Sequence, residues 1–155
     1  MSAVTEIKAN RGYLPSVMGC RCPRCREGKL FTNPISVSLK KNMAMNKNCP
    51  VCGQPTEIEV GFYYGTSYVS YMLTVALSIA TLLAWWVIIG LSTTDNRFFY
   101  WLGFNAVLLV ILQPWLMRLS RSLWISWFVG YDRNWQHNQP VDVSERLNSE
   151  HSNNW

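Results

Sequence analysis

Polar and apolar positions divide this chain into unlike regions. Residues 1 to 66 mix short apolar groups with nine Lys or Arg and four Asp or Glu, whereas the 24 residues from Tyr68 to Leu91 carry no charge. A helix of that length is about 36 Å long and crosses the roughly 30 Å hydrocarbon core of a bilayer with some tilt. A second apolar run, Phe98 to Met117, has Asn105 and Gln113 as its strongly polar side chains and is also long enough to span. So short a link between the runs forces an antiparallel hairpin of two transmembrane helices, expected over 67–91 and 98–117 with an external loop at 92–97. A buried hairpin in a soluble protein is the alternative, but a chain of 155 residues has too little sequence left to cover two helices apolar all round.

The pattern changes outside the hairpin. In the N-terminal arm, residues 1–19, the first apolar run is short and broken by Pro15 and Ser16, so no cleavable signal peptide is expected. Thr56-Glu57-Ile58-Glu59-Val60 alternates, which predicts a strand with Ile58 and Val60 facing inward. Gly61 and Gly65 then suit close backbone turns, and Thr66 or Ser67 caps the first span. Ser67, Ser70, Thr74, Ser78 and Thr81 recur at three- and four-residue steps, so they share a face along which another helix can approach closely. Its neighbour is expected to be the second span, through Gly103 and Ala106, or else a partner membrane protein. Pro114 is expected to kink or end the second helix. Beyond it, Leu116, Leu119, Leu123, Trp127 and Tyr131 line one side and Arg118, Arg121, Ser122 and Ser126 another, which predicts an amphipathic interfacial helix over 118–135. The polar tail, 136–155, reads as disordered.

Charge fixes an orientation. Nine Lys or Arg precede the first span, Arg118, Arg121, Arg133 and Arg146 follow the second, and the loop contributes Arg97 alone, so both termini are expected to be cytoplasmic. Tyr63, Tyr64, Tyr68, Tyr71, Trp115, Trp124 and Trp127 would form an inner aromatic belt, with Trp85, Trp86, Tyr100 and Trp101 nearer the outer surface. At 49% apolar and 15% charged, the chain is neither a disordered acidic segment nor a disulfide-dense miniprotein, and no length remains for a large catalytic domain.

The sharpest chemical signal lies before the hairpin. Cys22-Pro23-Arg24-Cys25 and Cys49-Pro50-Val51-Cys52 are two Cys-x-x-Cys pairs, with Gly28 just beyond the first and Gly53 directly after the second. Four thiolates at this spacing close a tetrahedron around zinc, each pair forming a tight knuckle in which glycine relieves positive φ. Arg21, Arg24, Arg26 and Lys29 favour the thiolate forms. Zinc would also supply folding free energy to a module of residues 20–66 that has few large aliphatics. Iron in a rubredoxin-like site shares the ligand count, and redox thiols or a disulfide are further alternatives, the last disfavoured by a cytoplasmic location. With all four ligands from protein, the centre is structural, and Cys22→Ser or Cys49→Ser is expected to unfold the module while leaving the hairpin intact. Cys20 makes a Cys-x-Cys with Cys22, a spacing able to hold Cu(I), although a spare surface thiol is the simpler reading.

Absences narrow the function. Neither span contains Asp, Glu, Lys, Arg or His, which removes a proton relay, a substrate counter-ion and a bis-histidine haem site. His137 and His151 both lie in the C-terminal tail, and no nucleophilic or paired-carboxylate constellation can be assembled, so neither catalysis nor a small-molecule substrate is expected. Arg21, Arg24, Arg26, Lys29, Lys40, Lys41 and Lys47 could contact nucleic acid, but anionic headgroups and topology explain the same charges more simply.

Cys22-Pro23-Arg24-Cys25-Arg26-Glu27-Gly28-Lys29-Leu30-Phe31, then Cys49-Pro50-Val51-Cys52-Gly53, then Glu59-Val60-Gly61-Phe62-Tyr63-Tyr64-Gly65 and a two-helix hairpin resemble a bacterial family of small zinc-ribbon membrane proteins of unknown function. Tyr68-Val69-Ser70-Tyr71 resembles its Bacteroidetes branch, and Gln113-Pro114 followed by Arg118 continues the likeness to about residue 135. The chain departs from the family pattern at Glu59-Val60, where an acidic residue and proline are usual, and at Cys20, which has no counterpart. Genes of this family often stand beside those of haem-copper oxidases and their assembly factors, so the resemblance implies a part in assembling or accompanying a respiratory oxidase. The expectation is therefore a multi-pass protein of the bacterial inner membrane: a β-rich zinc ribbon, a transmembrane hairpin and an interfacial helix. It would act as an accessory or assembly factor that meets a membrane partner through the Ser70, Thr74, Ser78, Thr81 seam or the zinc module. A membrane-tethered nucleic-acid or ribosome adaptor is the competing class.

Overall fold

The computed structural model describes residues 12–90 and 95–143. Two short helices, α1 (Tyr13–Met18) and α2 (Leu39–Met43), precede a 3-10 turn at Phe62–Gly65 and two long helices, α3 (Thr66–Ile89) and α4 (Arg97–Phe128). Twenty-four residues without an internal proline or glycine carry α3, and Gly90 ends it at φ 82° with its N–H on the Trp86 carbonyl. Arg97 donates to the Ile89 carbonyl at 2.8 Å and lies 3.7 Å from Asp95, tying the start of α4 to the end of α3.

Both long helices are long and apolar enough to cross a membrane, and none of the apolar window of α3 is buried inside the fold. That outward face differs from the buried core helix of a soluble protein, since Tyr68, Met72, Ile79 and Val87 are all exposed. The helices pack antiparallel through polar side chains. Thr81 Oγ1 donates to Asn105 Oδ1 at 3.1 Å, and Asn105 Nδ2 donates to Ser78 Oγ at 3.2 Å. The upper part of the hydroxyl seam, Ser78 and Thr81, therefore meets α4, at Asn105. Gly103 and Ala106 are exposed, and a Cβ at position 103 would meet nothing.

The largest departure from expectation is in α4, which runs unbroken through Pro114 as one helix of 32 residues, about 48 Å long. No boundary separates a second span ending at 117 from an interfacial helix at 118–135. Proline forfeits one helical hydrogen bond, and tertiary packing overrides that loss. Leu116, Leu119 and Ile125 are buried, Asn42 Nδ2 donates to the Pro114 carbonyl at 2.8 Å, and the turns beyond are enclosed by α1, α2 and the 3-10 turn. Arg118 and Ser122, assigned to a wet face by their polarity, are buried, while Trp127 is exposed. The inner belt also loses two members. Trp124 packs on Phe62 and Phe128 and donates to the Phe62 carbonyl, and Tyr63 donates to the Thr56 carbonyl beneath the Arg121 guanidinium.

The N-terminal module has the four-cysteine cluster of a ribbon but does not show its strands. Among the described residues no strand forms, and three isolated antiparallel bridges, Arg21–Lys29, Phe31–Met45 and Asn48–Pro55, take its place. The knuckles consume the backbone groups that a ladder needs, with Cys22 N–H on Gly28 and Cys49 N–H on Gln54, and the chain between Phe31 and Met45 detours through α2. Residues 56–60 likewise form no strand: Thr56 bonds back to Asn46 and Lys47, and the chain then turns at Gly61, φ 76°. The core consists of Cys22, Cys25, Leu30, Phe31, Cys49, Phe62, Ile125 and Val129, so α4 supplies part of the module's own interior. Within the expected tail, residues 136–142 are exposed, with the Asn138 carbonyl accepting from Arg24, and Val143 is buried; residues 144–155 lie outside the described residues, as do residues 1–11 of the arm and 91–94 of the loop.

Candidate metal centre

Two knuckles bring Cys22, Cys25, Cys49 and Cys52 together, and their sulfurs all lie within 4.8 Å of one another. Cys22 and Cys52 are 3.7 Å apart and Cys25 and Cys49 3.8 Å. A regular tetrahedron with metal–sulfur bonds of about 2.3 Å has edges of about 3.8 Å, so the donor set fits a four-coordinate ion and is far too open for disulfides at about 2.05 Å. All five cysteines are free. The four sulfurs would occupy every vertex of such an ion, leaving none for water or substrate.

The knuckles are built alike. In each, the residue after the second cysteine takes the left-handed conformation: Gly53 at φ 71° in one and Arg26 at φ 60° in the other. A non-glycine residue there carries a strain of about 1–3 kcal/mol, and the Arg26 guanidinium stacks 4.0 Å over the Tyr131 ring. Gly28 is required for space rather than for φ, since a Cβ would lie 2.2 Å from Cys49 Sγ. Its N–H points at Cys25 Sγ, 3.5 Å away. With no cation between them, four thiolates this close would repel one another, so the thiols do not ionise alike. Hydrogen bonds from neighbouring thiols, Cys22 foremost, bring Cys25 down to about 6 and lower Cys49 as well, while the hydrogen bond with Cys25, ahead of those with Cys49 and Cys52, raises Cys22. A divalent cation would remove this competition by favouring thiolate at all four.

Cys20 stands outside the four-sulfur cluster, and burial raises its thiol to about 11. The arginines around the first knuckle have structural partners. Arg24 is buried and donates to the carbonyls of Asn138 at 2.7 Å and Cys52 at 3.4 Å, with Asp132 at 3.3 Å. Asp132 in turn is held below the usual carboxylate range by Asn138, then by the Asn134 N–H and Arg24. One arginine thus fastens the segment after α4 to the metal loop.

Sequence reasoning missed the residues that join this centre to the long helices. Arg118 Nε and Nη2 donate to the carbonyls of Asn42 and Pro34, at 2.9 and 2.8 Å, and its guanidinium lies over Phe31. A Cβ on Gly65 would lie 2.2 Å from the Trp124 ring, so that glycine admits the aromatic side chain of α4. Backbone carbonyls leave no trace in a sequence; the available signal was an arginine set among buried-type leucines. A cleft of about 1400 Å³ opens between the module, α3 and α4, with Tyr63, Ser70, Gln113 and Arg121 among its walls.

No curated protein and no solved structure matches the chain. A family model does match, over residues 39–128, which takes in α2, the second knuckle and both long helices but not Cys22 and Cys25. Since that match covers more than half of the sequence, the chain belongs to the family described as protein of unknown function (DUF983).

Proposed function

We propose that the chain is an integral protein of the bacterial inner membrane, with both termini cytoplasmic, whose Cys22, Cys25, Cys49 and Cys52 hold a structural zinc ion. In this reading it is not an enzyme but an accessory or assembly factor for a membrane complex. The supporting observation is that α4 leaves the apolar hairpin and enters the core of the metal module, where Ile125 and Val129 pack with three of the four ligands. The module is thereby a fixed extension of the helices, suited to holding a partner at one height above the bilayer. A closed donor set supports a structural rather than catalytic ion, and the distribution of Lys and Arg supports the orientation.

The family resemblance makes a haem-copper oxidase the first complex to test. Deletion of the gene is expected to lower the oxidase bands in reduced-minus-oxidised haem spectra, and unaltered bands and activity would remove the assembly role. Metal analysis of the intact chain is expected to find about one zinc per chain, and iron would replace zinc in the proposal without altering the fold. RNA binding by the full-length protein that falls steeply with salt would favour the adaptor class instead.

A further inference from the structure

Between Phe31 and Met45 the chain leaves the metal core and is clamped to α4 at both feet. Arg118 holds the carbonyls of Pro34 and Asn42, Asn42 Nδ2 holds the Pro114 carbonyl, and Asn42 Oδ1 accepts from Ser36 N–H at 3.3 Å. Arg118 and Asn42 are themselves buried, which makes this a built attachment rather than a loose loop. What the clamp presents outward is apolar: Ile35 is 59% exposed, Val37 89% and Leu39 63%.

Leaving three aliphatic side chains in water forgoes the gain of burying them. The three are not scattered. Val37 and Leu39 border a cleft of about 270 Å³ whose other wall is Leu109, Val110, Pro114 and Met117, so the excursion lies alongside the lower turns of the apolar part of α4. Val110 and Ile111 are exposed on that same stretch of helix. Lys40 and Lys41 follow directly in α2 and are exposed, a placement in which their stems can lie along apolar surface while their ammonium groups meet anionic headgroups.

We propose that residues 35–39 form a wedge that enters the same leaflet as the lower turns of the apolar part of α4, a third insertion beside the two helices, with Lys40 and Lys41 at the headgroup level. The occupant of the exposed face is lipid, because the wedge continues the outward apolar face of α4 and carries cations at its edge. The inference rests on the membrane reading given above. In consequence the metal module is held to the bilayer at two points, α4 and the wedge, which fixes its rotation about the helix axis as well as its height.

The test places an environment-sensitive fluorescent amino acid at position 37 of the full-length protein, in nanodiscs of phosphatidylethanolamine and phosphatidylglycerol. Val37 is almost fully exposed, so the replacement leaves the fold undisturbed. The same probe at Val110 reports the lipid-facing helix, and at Glu57, which is exposed on the module, it reports water. Acyl-brominated lipids are expected to quench position 37 to at least about half the extent seen at 110, with a blue-shifted emission, and to leave position 57 unaffected. A probe at 37 that behaves like 57 while 110 is quenched would overturn the wedge and leave the membrane reading standing. Absence of quenching at 110 as well would overturn both. A probe at 37 that is aqueous in nanodiscs yet shielded in native membranes would assign the face to a protein partner and overturn the lipid assignment.

Discussion

The two halves of α4 obey different rules. Above Pro114 the helix touches the rest of the chain along one strip, where Trp101 and Asn105 are buried and Leu102, Phe104, Val107, Val110 and Ile111 face outward. Below it, Leu116, Arg118, Leu119, Ser120, Ser122 and Ile125 are all buried among the elements of the metal module. The upper half leaves its apolar surface for the surrounding medium to cover, and a single polar triad sets its register. The lower half carries its surroundings with it: four sulfurs, a cluster of aromatic rings and a buried arginine. Stability in the two halves therefore has separate sources, although no break in the backbone divides them.

Removing the metal ligands should separate the halves most sharply. Cys49→Ser is expected to abolish stoichiometric metal binding and forfeit metal-linked folding free energy on the order of 10 kcal/mol. Because Ile125 and Val129 share the core with the cysteines, the lower half of α4 should lose its protection with the module. Limited proteolysis and hydrogen exchange should open residues 20–62 and 116–129, while circular dichroism retains the helix content of α3 and upper α4. Loss of the entire helical signal would show that the halves are one cooperative unit.

Arg118→Met keeps length and apolar contact but strands the carbonyls of Pro34 and Asn42, a loss of about 3 kcal/mol. The thermal midpoint of the module should fall while the span helices hold. An unchanged midpoint would mean that water satisfies those carbonyls. Gly65→Ala drives a methyl into the Trp124 ring and should cost about 1–3 kcal/mol, read as faster hydrogen exchange at the 3-10 turn. The smallest effect belongs to the upper half. Asn105→Leu removes both hydrogen bonds to α3 and should weaken the helix pair by about 0.6 kcal/mol, seen as accelerated exchange around Ser78 and Thr81 with metal content unaltered. A lower metal content in that variant would tie the halves together.

The four-cysteine cluster and the two long apolar helices were legible in the sequence because each is written in side chains: cysteine spacing in one case, uninterrupted apolar runs in the other. The ribbon was not, because the segments around the knuckles spend their hydrogen bonds on turns and leave only single bridges. The lower half of α4 was misplaced for a different reason. Its alternation of leucines with Arg118 and Ser122 describes a helix between two media equally well whether the polar side meets headgroups or the carbonyls of residues 34 and 42. Asn105, counted as a tolerated polar residue in an apolar run, turned out to hold the helices together, whereas the small residues Gly103 and Ala106 face away.

An unbroken helix of 32 residues is also a lever. Helices that cross a bilayer adapt to thinner or thicker membranes by changing tilt. With the four-cysteine cluster packed on its lower arm, any change of tilt in the membrane setting proposed above becomes a swing of the cluster itself.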